Sequence, residues 1–238
     1  MENIATRAAY GEALAAMAKD YPELVVLDAD LSGSTMSKKF ADVCPERFFN
    51  IGIAEANMAG IAAGLATCGK KPFIHSFAMF AAGRAWEQVR NSIAYPRLNV
   101  KVIGSHGGLS VGEDGATHQC IEDYGIMCTI PNMRVVMPAD YVAAKKLVEA
   151  AAQIYGPVYL RFTRDEVPVI YDESQEFTIG KAVYLRRGDD VALIANGDTV
   201  CLALEAADAL RAQGVESTVL DMHTVKPLDD EAVKDCIR

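Results

Sequence analysis

Val100-Lys101-Val102-Ile103-Gly104 runs directly into a loop carrying Gly107-Gly108 and then Gly112-Glu113-Asp114-Gly115-Ala116-Thr117-His118-Gln119. The first part is a short β-branched run of the kind that forms a strand buried on both faces. The second has no apolar periodicity. Two glycines, two acids and a histidine within eight residues cannot hold a core together. They suit a loop that sets a histidine and a carboxylate at fixed places over a small molecule.

The same alternation extends in both directions. Upstream, Thr6 is a candidate N-cap for a helix over 8–19, ended by Pro22. Leu24-Val25-Val26-Leu27 reads as a strand, followed by the polar turn 28–34. A strand is expected over 48–53, a helix from Glu55 to Thr67 with Gly69 as its stop, a strand over 72–75 and a helix over 81–93. Downstream come a strand at 134–137, a helix at 141–154 and a strand at 158–161. Strands alternating with helices predict an α/β fold with a parallel sheet and helices on both faces, spanning residues 1–165. Residues 166–177, which include Pro168 and several charges, break the rhythm and read as a linker. A second βα series occupies 178–238, with a strand at 191–195, a helix at 199–213 and a strand at 217–220. Those residues are few for an independent domain, so a partial second α/β domain is expected.

The chain has 238 residues, of which 51% are hydrophobic, enough for a sizeable core. A net charge of −9 without a basic stripe excludes a nucleic-acid surface, while leaving room for a local basic pocket. No apolar run approaches the length of a membrane span and the N-terminus lacks a signal-peptide pattern, so a cytoplasmic location is expected. The six cysteines have no short metal-ligand spacing and read as reduced thiols.

Ligands of open parallel sheets sit beyond the carboxyl ends of the strands. Asp30 and Ser34 follow one predicted strand, Glu55 the next, Phe77 and Phe80 the third, and His106 to His118 the fourth. Glu55, at the start of a helix among apolar residues, suits the positive end of the helix dipole, or a proton donor of raised pKa. Phe77 and Phe80 are either core or a stacking surface for a flat heterocycle, and their place between a strand and a helix favours the second. His118 is either a solvated loop residue or a catalytic one, and Asp114 four positions earlier favours the latter. Arg7, His106, Arg161 and Arg164 are candidate anion contacts.

From about Ala5 onward the chain resembles the C-terminal part of a transketolase, specifically the C-terminal subunit of transketolases made as two chains. The resemblance is carried by Ile51-Gly52-Ile53-Ala54-Glu55, Ser76-Phe77-Ala78-Met79-Phe80, and Gly104-Ser105-His106 through Glu122-Asp123. It implies a thiamine diphosphate site in which Glu55 hydrogen-bonds the aminopyrimidine, Phe77 and Phe80 pack on that ring, and Asp30 and Leu31 help line the pocket. The cofactor would serve as electron sink. It further implies His118 at the donor's oxygens, Asp114 on a sugar hydroxyl, and Arg7, Ser34, His106 and Arg164 on the substrate phosphate. The implied reaction moves a two-carbon ketol unit from a ketose phosphate to an aldose phosphate, in the pentose phosphate pathway.

Three positions depart from the family pattern. Gly83 stands where a third aromatic is common, Gly107-Gly108 replaces a more polar pair, and Cys120 replaces a frequent proline. The Gly-Asp-Gly motif with a later asparagine, which holds the diphosphate and Mg2+ in this family, has no counterpart here. The resemblance therefore implies no metal ligand in this chain, an N-terminal partner subunit that supplies that end, and a dimer of such pairs. It also implies a C-terminal domain cut short at Arg238. The rival expectations are a deoxyxylulose phosphate synthase-like subunit, a transketolase for an unusual sugar phosphate, and a non-catalytic scaffold.

Overall fold

The computed structural model describes residues 2–237. Its strands are β1 (Asn3–Ala5), β2 (Leu24–Asp28), β3 (Phe48–Asn50), β4 (Lys71–Phe77), β5 (Lys101–Ser105), β6 (Arg134–Val136), β7 (Val158–Arg161), β8 (Glu166–Pro168), β9 (Val183–Arg186), β10 (Val191–Ala195), β11 (Ser217–Asp221) and β12 (Thr224–Lys226). Seven of them form the main sheet in the order β12-β6-β7-β5-β4-β2-β3. All neighbours in it are parallel except β12, which runs antiparallel to β6. The α/β architecture is as the sequence predicts.

Both faces of the sheet are covered, and β2 shows why its sequence is apolar throughout. Leu24 and Val26 join the core beneath the Thr6–Met17 and Tyr141–Gln153 helices. Val25 and Leu27 join the core on the opposite face, with Met58, Ala59 and Ala62 of the Glu55–Thr67 helix. Alternating side chains of one strand thus enter two different cores.

Several boundaries differ from expectation. Thr6 does not cap the first helix: the N-cap is Ala5, and the Thr6 hydroxyl instead lies 3.2 Å from Thr163 Oγ1. The strand expected over 72–75 runs to Phe77, which is buried, so Phe77 is the last strand residue rather than a loop residue. The helix expected over 81–93 is three unlike pieces: π-helical turns at Met79–Arg84 and Val89–Ala94 flank a single α turn at Trp86–Gln88. Such wide turns recur near functional sites because they re-aim side chains that a regular helix would stack.

Residues 166–177, expected as a linker, follow the first unit closely. β8 pairs antiparallel with β1, and Tyr171 and Phe177 are buried in its core. Asp140 fixes this path: Oδ1 caps the Tyr141 helix through Ala143 N (2.8 Å), while Oδ2 accepts from Ile170 N (2.8 Å) and Tyr171 N (2.9 Å). The later residues form a small sheet in the order β10-β11-β9, yet β12 from the same stretch completes the edge of the main sheet. The six cysteines are free thiols. Among the described residues no helix is long and apolar enough to cross a membrane.

Gly104 in β5 is set by contact rather than by turn geometry. A Cβ there would lie 2.7 Å from Tyr159 Cζ and press on the buried ring. Gly104→Ala is expected to lower stability by about 1–3 kcal/mol, read as a drop in the urea midpoint. Gly60→Ala, at a helical position with open space around it, is expected to raise stability by up to about 1 kcal/mol.

Candidate active site

The predicted residues meet at the carboxyl edge of the main sheet. The chain leaves β2 toward β3 on one side and later continues from β4 to β5 on the other, so the topological switch point, where sheets of this kind form their crevice, lies between the ends of β2 and β4. Glu55 opens its helix beside this point with 1% of its surface exposed. Its surroundings are not purely apolar, contrary to expectation. Arg84 Nη1 lies 2.9 Å from Glu55 Oε2, and Ser76 Oγ donates to Oε1 at 3.3 Å. Arg84 also sits 4.5 Å from the centre of the Phe80 ring.

Four rings form the wall next to this pair. Phe77 and Phe80 are stacked at 6.4 Å and 18°. Phe77 is covered on one side by His106, with centroids 4.1 Å apart, and meets the edge of His118 at 6.1 Å. His118 stands at 85° to Phe80, 5.1 Å away. Its Nδ1 is 2.9 Å from Thr117 Oγ1. Phe80 remains half-buried, so it is the phenylalanine with surface left to offer.

A basic group lies beside the rings. Arg7 Nη1 donates to Ser34 O at 2.8 Å, and its buried Nε has no partner. Arg164 donates to Val111 O and reaches Glu113 Oε1 at 2.9 Å and Asp114 Oδ2 at 3.8 Å. Burial, reinforced by the charges of Arg164, lowers the Arg7 pKa. His106, at a left-handed φ of +59°, is pushed down to about 4 by burial and then by Arg7 and Arg164. It is therefore a neutral ring at pH 7, with Nδ1 2.7 Å from Ser105 Oγ.

Asp30 and Leu31 lie at the β2 end of the edge. Asp30 accepts from Asn50 Nδ2 at 2.8 Å, and Leu31 N donates to Asp28 Oδ1 at 2.6 Å. Asp28 was not singled out in the sequence, although it organises this loop: Oδ2 also accepts from Thr35 Oγ1 and Ser37 Oγ, each at 2.8 Å. The hydroxyl run after a strand-ending acid was the available signal. Arg84 gave none, being one arginine in an alanine-rich stretch. Arg161 is not an anion contact at this edge: it is buried, with Nε 2.8 Å from Asp123 Oδ2. The same side chain explains Gly107, where a Cβ would lie 2.7 Å from Arg161 Cζ. Cys120 supplies a carbonyl that accepts from Gly108 N at 2.8 Å, closing the base of the histidine loop. Among the described residues no group of three or more His, Cys, Asp or Glu could hold a metal ion.

The carboxyl edge of this mostly parallel sheet thus carries an acid-bearing helix start, a phenylalanine pair and a histidine loop. The transketolase pyrimidine-binding domain matches residues 2–169, and the transketolase C-terminal domain matches 180–238. The chain belongs to the transketolase family. It is 51% identical over 230 residues to a protein of Methanocaldococcus jannaschii named as a transketolase C-terminal section, spanning 96% of this chain and 73% of that protein. It is 44% identical to the 6-deoxy-6-sulfo-D-fructose transketolase subunit SqwH of Clostridium sp. MSTE9, over 95% of this chain and 70% of that one. A split-gene transketolase solved as an inactive β4 tetramer superposes with a TM-score of 0.92 at 48% identity, covering all of this chain and 77% of that one.

The depressed His106 pKa has a signed consequence. The unfolded chain binds a proton to His106 at ordinary histidine pH while the folded chain does not. Its contribution to stability is therefore complete above about 6.5 and is lost as pH falls toward about 4. His223, also pushed down to about 4 by burial, acts in the same direction. An NMR titration should place the His106 midpoint near 4. His106→Asn should flatten the fall in the urea midpoint across that window.

Proposed function

We propose that this chain is the pyrimidine-side subunit of a two-chain, thiamine diphosphate-dependent transketolase that moves a two-carbon ketol unit from a ketose phosphate to an aldose phosphate. The observation that carries the reading is the buried Glu55 carboxylate beside the Phe77, Phe80 and His118 rings. A planar heterocycle needs one fixed carboxylate on its ring edge and an aromatic face against its plane, and these residues offer both. When bound, the cofactor supplies an electron sink for carbon–carbon cleavage.

The Glu55 carboxylate hydrogen-bonds the pyrimidine edge, with Ser76 and Arg84 fixing the orientation of its two oxygens. Phe80 packs on the ring, and Phe77 supports Phe80 from the end of β4. Asp30 and Leu31 complete that wall. His118 exchanges protons at the donor sugar's oxygens, and Asp114 accepts from a sugar hydroxyl. Arg7 and Arg164 supply positive charge for the phosphate, and the unpartnered Arg7 Nε is the kind of donor that an anion satisfies. Ser34 adds a hydroxyl, and neutral His106 adds an N–H rather than a charge.

An N-terminal subunit would bring the diphosphate and Mg2+ end, and a dimer of such pairs would assemble in the cytoplasm. The Glu55 helix packs its apolar face inward and leaves Gly60, Ile61 and Gly64 exposed next to Ile53, a surface suited to close helix packing against a partner. The sulfosugar named for the SqwH relative keeps the unusual-sugar reading open.

In the complex reconstituted with its N-terminal subunit, Glu55→Ala should lower kcat by at least about 100-fold with the complex still assembled. Full-rate turnover by this variant would leave Glu55 without its role and favour a non-catalytic scaffold. Consumption of pyruvate by the wild-type pair would overturn the transketolase reading in favour of a deoxyxylulose phosphate synthase-like one.

A further inference from the structure

A second basic cluster lies at the opposite end of the sheet. β5, β6 and β7 begin there, at Lys101, Arg134 and Val158, whereas the ring cluster sits beyond the carboxyl ends of β4 and β5. Arg97, Asn132, Arg134, Tyr155 and Gly156 line an open cavity of about 520 Å³ at this amino edge. The protein as a whole carries a net charge of −9, so a wall of two arginines without acids stands out.

The arginines are unspent. Among the described residues, no carboxylate forms an ion pair with Arg97 or Arg134, and the Arg134 guanidinium makes one hydrogen bond, Nη1 to Tyr155 O at 3.5 Å. Cations at helix C-termini often serve to satisfy terminal carbonyls. That task is already met here by other groups. Lys101 Nζ donates to Ile154 O at 2.8 Å and Gly156 O at 2.7 Å, and Asn132 Nδ2 donates to Ala94 O at 3.0 Å. The third Lys101 bond goes to Asn99 Oδ1 at 2.7 Å, so every acceptor around this buried ammonium is neutral. Burial, with Lys71 and Arg134 adding repulsion, pushes Lys101 down to about 7. Lys71 has its own carboxylate, Glu23 at 3.0 Å. An anion in the cavity would offset the remaining excess of positive charge.

The backbone sets the placement of two of the lining residues. Among the described residues, the non-glycine ones with left-handed φ are Asp30, Met36, Arg97, His106 and Asn132. Asp30, Met36 and His106 lie in the loops of the carboxyl edge. The other two, Arg97 at +58° and Asn132 at +68°, both line this one cavity. Arg97 takes this conformation as the left-handed cap of the preceding helical turn, with Leu98 N donating to Ile93 O at 2.9 Å.

We propose that the amino-edge cavity is a second, phosphate-binding site, with the Arg97 and Arg134 guanidiniums on the phosphoryl oxygens and the exposed Tyr155 ring as its outer wall. It takes the charged group of a small phosphorylated or diphosphorylated molecule, since paired guanidiniums match the planar oxygen pairs of that group.

Inorganic pyrophosphate, titrated calorimetrically into the chain at constant ionic strength, should bind saturably with a Kd of roughly 0.1–1 mM. Arg97→Gln should weaken it by about tenfold or more with little change in Tm, because Arg97 is exposed and forms no ion pair among the described residues. Arg134→Gln should do the same, with Tm recorded alongside. Arg7→Gln and Arg164→Gln, at the other edge, should leave this binding event in place. Absence of saturable binding would overturn the proposal, as would binding that survives Arg97→Gln and disappears with Arg7→Gln. None of these outcomes depends on turnover, so the amino-edge site stands or falls apart from the transketolase reading.

Discussion

A buried ion pair underlies the loop that gives this edge its chemistry. Arg161, the last residue of β7, places Nε 2.8 Å from Asp123 Oδ2, with both side chains almost wholly removed from water. Such a pair is costly unless its remaining hydrogen-bonding capacity is met. Here that capacity is met in part: Tyr159 OH donates to the same carboxylate oxygen at 2.8 Å, Arg161 Nη2 donates to Cys120 O at 3.3 Å, and the guanidinium lies 4.6 Å from the Tyr124 ring centre, while Asp123 Oδ1 is buried without a hydrogen-bond partner. The network ties a central strand to the Asp123–Thr129 helix and to the end of the histidine loop. It also sets the composition of β5 and of the loop that follows it. Tyr159 leaves no room for a side chain at 104, and Arg161 leaves none at 107. The glycines that look permissive in the sequence are imposed from below.

Electrostatics then divides the edge into two zones. Glu55 and Arg84 form a nearly neutral pair next to rings, while Arg7, Arg164 and a neutral His106 form a region of positive potential a short way along. Glu113 and Asp114 of the histidine loop lean on Arg164 and temper that potential. One zone therefore suits a flat, weakly polar ring and the other an anion, although both hang from adjacent strands of one sheet.

Much of this was legible because burial on both faces writes β-branched runs into parallel strands, and because unusual residues after such runs must fall on one edge. Glu55 at its helix start and the histidine loop after β5 were readable for that reason. The rest depended on contacts that leave no local trace. An alanine-rich stretch has the composition of an α-helix, so nothing in it announced the π-helical turns that bring Arg84 to Glu55 and Phe80. Phe77 looked like a loop residue because β4 outlasts its apolar run by three residues, Ile74 being followed by His75, Ser76 and Phe77 in the strand. Asp28 was hidden within a polar turn. Short strands paired across the chain, such as β12 against β6, are too brief and too distant in sequence to carry a pattern.

The pairing of β1 with β8 has a topological meaning. Asn3 lies opposite Pro168 and Ala5 opposite Glu166, so the chain enters and leaves the first unit through one doorway. Everything between those strands, including the carboxyl edge of the main sheet, is a closed circuit. A circular permutant that joins these neighbouring ends and opens the chain at a distant surface turn, such as the one after Gly69, would keep every strand neighbour of that circuit while reversing the order in which the Glu55 helix and the histidine loop are met along the chain.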